Sequence, residues 1–106
     1  MKFRENYTCP LELTHDIIKG KWKPIIIWQL SIAPTSLATL QKDINGITQK
    51  MLIEQLKELI EVGVVSKKSY DGYPLKVEYS LNEFGYEILE ALKIMQQVGK
   101  GIEKVN

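Results

Sequence analysis

Between Ile47 and Leu81 the hydrophobic period changes from that of a helix to that of a strand, and the change falls on one glycine. Leu52, Leu56, Leu59 and Ile60 recur at helical spacing and make one apolar stripe. Gly63 stands where a helix ends, because glycine alone takes the left-handed C′ conformation without a steric cost. Val64-Val65 then open a β-branched run, Ser66 to Tyr70 alternates, Asp71-Gly72 marks a turn, and Lys76 to Leu81 alternates again. The chain therefore leaves a helix directly into a β-hairpin. Pro74, close to the second strand, makes that part of the ribbon an edge or a loop.

Upstream, Thr48 sits at the N-cap of the same helix, and Asn45-Gly46 is a turn. Before it, Ala33-Pro34 breaks the chain, and Thr35 or Ser36 caps a short helix carrying Leu37, Leu40 and Ile44. Two short helices joined by a tight turn with glycine form a helix-turn-helix, and with the hairpin the unit is a winged helix. Two further helices precede it. One begins at Pro10 and runs through Ile18, ending before Gly20; the other, about Trp22 to Ile32, is apolar nearly all round and belongs at the centre of the domain. The last helix starts at Asn82 and continues towards Ile102, with Phe84, Ile88, Leu92, Met95, Val98 and Ile102 three or four apart. Leu89, Ala91 and Ile94 add a second apolar edge, more than a small helical core can cover, so a second chain is expected there.

The fold class expected is mainly α with a β-hairpin wing: a winged helix-turn-helix, dimerising through its terminal helices. One domain spans residues 1–106, with an N-terminal arm at 1–8, the wing at about 64–81 and the dimerisation helix at about 82–102. A chain of 106 residues suits one domain, and its 44% hydrophobic and 25% charged content is that of a globular protein. No apolar run can span a bilayer, and Met1 to Pro10 lacks an apolar signal core, so a cytoplasmic location and no membrane partner are expected. A net charge of +1 does not announce a polyanion partner, so any basic surface must come from how the lysines are placed. One histidine and one cysteine make no zinc site, the glycines are scattered singly with no phosphate loop, and no acid pair sits in a readable catalytic motif. Catalysis, a metal and a cofactor are accordingly not expected.

At this point the sequence resembles the HxlR-type family of bacterial winged-helix transcriptional regulators, relatives of the MarR group. The resemblance rests on Cys9-Pro10, Gly20-Lys21-Trp22, the run Gly46 to Leu52, Leu56-Lys57-Glu58-Leu59, Gly63-Val64-Val65, Pro74 with Val77 to Leu81, and Asn82-Glu83-Phe84-Gly85. It implies a homodimer bound to inverted-repeat operator DNA, and for some members a cysteine at the position of Cys9 that responds to oxidants or electrophiles. The family commonly has arginine at the positions of Gln55 and Lys57, and serine and proline before Lys50, so base choice here is expected to differ.

On this reading the helix of Thr48 to Ile60 enters the major groove while the hairpin of Val65 to Leu81 clamps the backbone, with the two-fold copy one DNA turn, about 34 Å, away. The DNA-binding candidates are Ser36, Thr48, Gln49, Lys50, Met51, Ile53 and Lys57, joined on the wing by Lys67, Lys68 and Lys76. Gln49 suits adenine, Lys50 guanine or a phosphate, and Met51 or Ile53 a thymine methyl. The one arginine, Arg4, lies outside this helix, so the site is expected to lean towards A·T pairs. Met51 fits the core equally well. Glu54 and Glu58 oppose DNA unless neighbouring lysines or a cytosine amino group take them up.

Cys9, just before Pro10, stands at the N-terminus of the first helix, where the helix dipole favours a thiolate. Redox sensing and plain filling of a dimer seam both remain open for it. The dimer-interface candidates are Leu11, Phe84, Ile88, Leu92, Met95 and Val98. Trp22 and Trp28 belong to the core or line a ligand cavity, and Gly85 lets the last helix pack closely. Two other functions stand beside DNA binding: a winged-helix protein-interaction module, and a regulator sensing a small-molecule ligand.

Overall fold

The computed structural model describes residues 1–105. In order, the elements are α1 (Pro10–Ile18), α2 (Lys23–Leu30), α3 (Leu37–Asp43), α4 (Gln49–Glu61), β1 (Val65–Tyr70), β2 (Lys76–Leu81) and α5 (Glu83–Val105). The winged helix-turn-helix is present, in the order and nearly with the bounds expected.

The centre is α2, whose Ile26 and Ile27 are wholly buried and whose Leu30 is nearly so. Around it pack Leu40 and Ile44, the α4 stripe of Leu52, Leu56 and Leu59, the wing root at Val64 and Val65, and Leu89 and Leu92 of α5. The helix is shorter than its apolar run suggests, because Ser31 and Ile32 turn ahead of Pro34. Trp22 and Trp28 lie against this core, half-buried.

Both ends of α4 are built by local chemistry. Thr48 Oγ1 accepts from the Met51 amide at 3.1 Å, satisfying one of the orphan donors of the first turn. At the other end Gly63 takes φ +79°, Gly63 N–H bonds Ile60 O and Val64 N–H bonds Leu59 O, the paired contacts of a Schellman stop. The chain therefore leaves the helix in one step and enters β1.

β1 and β2 pair antiparallel from Val65 with Leu81 to Tyr70 with Lys76. The connection is longer than the Asp71-Gly72 pair suggests, running from Asp71 to Leu75 and including Pro74. Thr35 adds a single bridge to the other edge of β2, exchanging backbone hydrogen bonds with Tyr79 at 2.9 and 2.8 Å. That contact ties the start of the helix-turn-helix to the wing. Gly85 seats α5 on the wing root: a Cβ there would lie 2.5 Å from Val64 O and 3.0 Å from Leu81 Cδ2.

Beyond Leu92, α5 leaves the core, and every residue from Lys93 to Val105 is exposed. Leu92, expected at a dimer interface, belongs instead to this chain's own core at 5% exposure. Several faces of α5 satisfy the helical period, and docking on α2 selects the one bearing Leu89 and Leu92. Phe84, Met95, Val98, Ile94 and Ile102 stay exposed, as does Leu11 on α1, while Ile88 is half-buried. No described helix is long and apolar enough to cross a membrane.

Candidate nucleic-acid interface

With Leu52, Leu56 and Leu59 inside, the opposite face of α4 turns Gln49, Lys50, Ile53, Glu54 and Lys57 to solvent. Ile53, at 45% exposure, is an apolar residue that burial does not account for. Met51 is half-buried and packs on the core, so it is only partly available to a base. Glu58 does not pair with its own helix. It accepts from Lys23 Nζ at 3.4 Å, and Lys23, at the start of α2, is almost wholly buried. One of the two carboxylates expected to repel DNA is thus drawn back against the core, and Glu54 remains exposed. Among the described ion pairs none involves Lys50 or Lys57.

The two capping hydroxyls are already engaged. Ser36 Oγ accepts from the Thr39 amide at 3.2 Å and donates to Thr39 Oγ1 at 3.0 Å, and Thr48 caps α4. Gly46, with φ +87°, makes the turn between α3 and α4 beside the Trp22 ring.

The wing lysines do not form one cluster. In an antiparallel ribbon Lys67 shares a face with Tyr79, while Lys68 and Lys76 share the other with Tyr70 and Glu78. Lys76 Nζ lies 3.0 Å from Glu78 Oε1 and 5.3 Å from the centre of the Tyr70 ring. The hydrogen bond to Glu78 and that carboxylate's charge raise the Lys76 pKa above its ordinary value. Lys68 Nζ lies 4.9 Å from the same ring. Lys76 is therefore a neutralised cation, unlike Lys50 and Lys57.

Cys9 is the N-cap residue of α1, exposed, and its thiol makes no capping hydrogen bond. The N-terminal arm folds back on α1, where Arg4 binds Asp16. Arg4 Nε is 2.7 Å from Asp16 Oδ2, Arg4 Nη1 is 3.2 Å from Glu12 Oε2, and Tyr7 donates to Asp16 at 3.0 Å. The Arg4 hydrogen bond, with help from Tyr7, holds the Asp16 carboxyl below the usual carboxylate range, against the opposing effect of burial. This cluster and the Lys23–Glu58 pair join positions 12 and 35 residues apart, with no periodic signal in the sequence. A cavity of about 860 Å³ lies between the arm, α1, the end of α4 and the start of α5, walled by Phe3, Tyr7, Ile17, Phe84 and Ile88. The tryptophans do not line it; Trp28 borders a smaller groove with Leu92 and Met95. Among the described residues no group of acidic, histidine and cysteine side chains could hold a metal ion.

The chain is 40% identical to the HTH-type transcriptional regulator YkvN of Bacillus subtilis (strain 168), itself uncharacterized, over 90% of this chain and 80% of that one. The structure is similar to the redox regulator HypR in its reduced form, with a TM-score of 0.86 and 36% identity over 92% of this chain and 96% of that one. Its similarity to HypR in its oxidized form has a TM-score of 0.82 and 38% identity, over 88% and 96% of the two chains. The model for HxlR-like helix-turn-helix proteins matches residues 17–105. A winged helix with these neighbours and that match belongs to the HxlR-like helix-turn-helix family, whose members among these relatives are transcriptional regulators.

Proposed function

We propose that the chain is a sequence-specific double-stranded DNA-binding transcriptional regulator, working as a homodimer on an inverted-repeat operator. The observation that carries this reading is the outward face of α4: Gln49, Lys50, Ile53 and Lys57 exposed on one capped helix, held from behind by a buried leucine stripe. That is how a recognition helix presents itself to a major groove. Gln49 is suited to adenine, Lys50 to guanine or a phosphate, and Ile53 to a thymine methyl, which favours A·T-rich half-sites in the absence of an arginine. Lys57 and Lys67 add phosphate contacts. Ser36 and Thr48 contribute by shaping helix starts, since their hydroxyls are engaged.

The homodimer is supported by the surplus apolar surface of α5 and α1. Ile94, Met95, Val98 and Ile102 are each more than half exposed, as are Phe84 at the start of α5 and Leu11 on α1. Water contact along so long a stripe is removed most simply by a second copy.

Cys9 is the residue through which an oxidant or electrophile would act, supported by its exposure at a helix N-terminus and by the likeness to HypR, a redox regulator. Joining two Cys9 thiols releases two protons and gives two electrons to the oxidant, such as diamide. A second reading, in which a small molecule is sensed, is favoured by the apolar cavity beside the arm. Cys9→Ser separates the two: it abolishes the response only if the thiol is the sensor.

Fluorescence anisotropy of the reduced protein on the DNA upstream of its own gene, across a salt series, tests the central part. Tight binding over random duplex with a steep salt slope is expected. Absence of binding to either duplex at low salt would contradict it and leave a protein-interaction module.

A further inference from the structure

We infer that the cleft beside the N-terminal arm is a seat for a lipophilic organic cation, an apolar body carrying one positive charge; the inference rests on the small-molecule reading above and names the class of ligand. The cleft measures about 860 Å³, within the range of about 300–1,000 Å³ in which proteins hold small organic ligands. Its walls are mostly apolar and include three aromatic rings, Phe3 and Tyr7 from the arm and Phe84 from the start of α5. Phe3 is 48% and Phe84 60% exposed, so neither ring is used up by this chain's own core. The arm is tied to α1, where Arg4 and Tyr7 both bind Asp16, and to the end of α4, where Met1 binds Glu61. The Phe3 and Tyr7 walls are therefore in place before a ligand arrives.

Charge selects the occupant. Among the described residues that line the cleft, the charged ones are Glu61 and Glu87, and none is a lysine, arginine or histidine. Glu61 already holds an ammonium, that of Met1 at 3.0 Å. Glu87 is exposed and enters none of the described ion pairs. Arg4 comes near, its guanidinium 4.7 Å from the centre of the Tyr7 ring, but Asp16 at 2.7 Å and Glu12 at 3.2 Å balance it. The aromatic walls act in the same sense as Glu87, because the face of a ring attracts a cation lying over it. An anion would be repelled by Glu87, and a neutral guest or a second copy's apolar face would gain nothing from it. A cation with an apolar body uses both the rings and the charge. Val62 and Val64 also line the cleft, on either side of Gly63, where α4 stops. A guest there bears on the joint between α4 and the wing, which couples its binding to DNA affinity.

The test uses two probes of one shape and opposite charge, tetraphenylphosphonium and tetraphenylborate. Each is titrated calorimetrically into the full chain, and affinity for the upstream duplex is then read by anisotropy with each ion at saturation. The phosphonium is expected to bind at least about tenfold more tightly than the borate, a difference of about 1.4 kcal/mol. Added salt should shrink that difference. Glu87→Gln should weaken the phosphonium about threefold, the scale of an exposed ion pair, and improve the borate. Phe3→Leu keeps the apolar bulk without the ring and should weaken the phosphonium about threefold as well. Both side chains are exposed, and a thermal midpoint equal to that of the wild type checks that each variant folds. The bound phosphonium should change the affinity for DNA. A borate that binds as tightly, or a phosphonium affinity indifferent to Glu87→Gln, overturns the cation and leaves small-molecule sensing standing. Binding of neither ion overturns the seat, the result expected if a second copy of the chain fills the cleft. Phosphonium binding that leaves DNA affinity unchanged keeps the seat and overturns the small-molecule reading.

Discussion

The outer faces of α4 and of the wing both carry lysines, and the two elements leave them in different states. On α4 the helical period spaces Lys50 and Lys57 along one side with Glu54 within a turn of both, yet none of the described ion pairs joins either lysine to it, and Glu58 is taken by Lys23 from another helix. On the wing the period of two puts Lys76 and Glu78 of one strand on the same face, and Lys68 stands directly across from Glu78. The strand thus supplies its own counter-ion while the helix holds its cations free. Lysine count alone would rank the wing above the helix as a phosphate binder. The geometry reverses that order, with Lys67, on the opposite face from Glu78, as the wing residue closest in character to those of α4.

The largest effect that sharpens this comparison concerns what holds each element. Leu56→Ala, at a site 1% exposed, should destabilise the fold by about 2–5 kcal/mol in urea unfolding, with loss of the α4 platform. A change below half a kilocalorie would show that the stripe does not support the helix. For the wing the corresponding site is Gly85, where an added methyl meets Val64 O. Gly85→Ala should cost about 1–3 kcal/mol through overpacking, and a neutral result would mean that α5 can shift without disturbing the wing root.

Charge comes next. Lys50→Ala and Lys57→Ala should each lower the salt slope of DNA binding by about one and weaken affinity at low salt. Lys76→Ala should lower it by clearly less than one, since Glu78 already balances that charge. Glu78→Gln should strengthen binding and bring Lys76 level with Lys57. Equal slopes for Lys57→Ala and Lys76→Ala in otherwise wild-type protein would break the comparison.

The smallest expected effect lies in the arm. The Asp16 pKa is lowered in the fold, so the carboxylate's contribution is fully present above its unfolded value of about 3.9 and is lost as pH falls through the folded one. Thermal midpoints taken from pH 6 to pH 2.5 should therefore fall more steeply for the wild type than for Asp16→Asn. Parallel curves would show that Arg4 does not hold the arm through this carboxylate.

Most of the fold was legible because its signals are local. Thr48 and Ser36 announce helix starts and Gly63 a stop, and each acts within four residues of itself. The alternation of β1 and β2 gave their pairing, and the apolar excess of α5 showed through its period. What escaped joins distant parts of the chain. Arg4 to Asp16 crosses 12 residues and Lys23 to Glu58 crosses 35, and neither spacing has a periodic signature. The Thr35 bridge to Tyr79 is one residue beside a proline, too short to alternate. Leu92 went to the core for the same reason: several faces of α5 fit the helical period, and only docking on α2 chooses between them. At the candidate interface, burial on α4 was readable from spacing, but the neutralisation of Lys76 needed the strand pairing.

The measurement that tests the account most directly is the ratio of affinities for upstream and shuffled duplex, taken for the wild type and for the double variant Q49A/K50A. If α4 reads bases, the wild type should prefer the upstream duplex by at least about a thousandfold. The double variant, keeping its fold because both side chains are exposed, should lose most of that preference while still binding shuffled DNA within about tenfold of the wild type. A ratio unchanged by the substitutions would contradict the assignment of base reading to this helix.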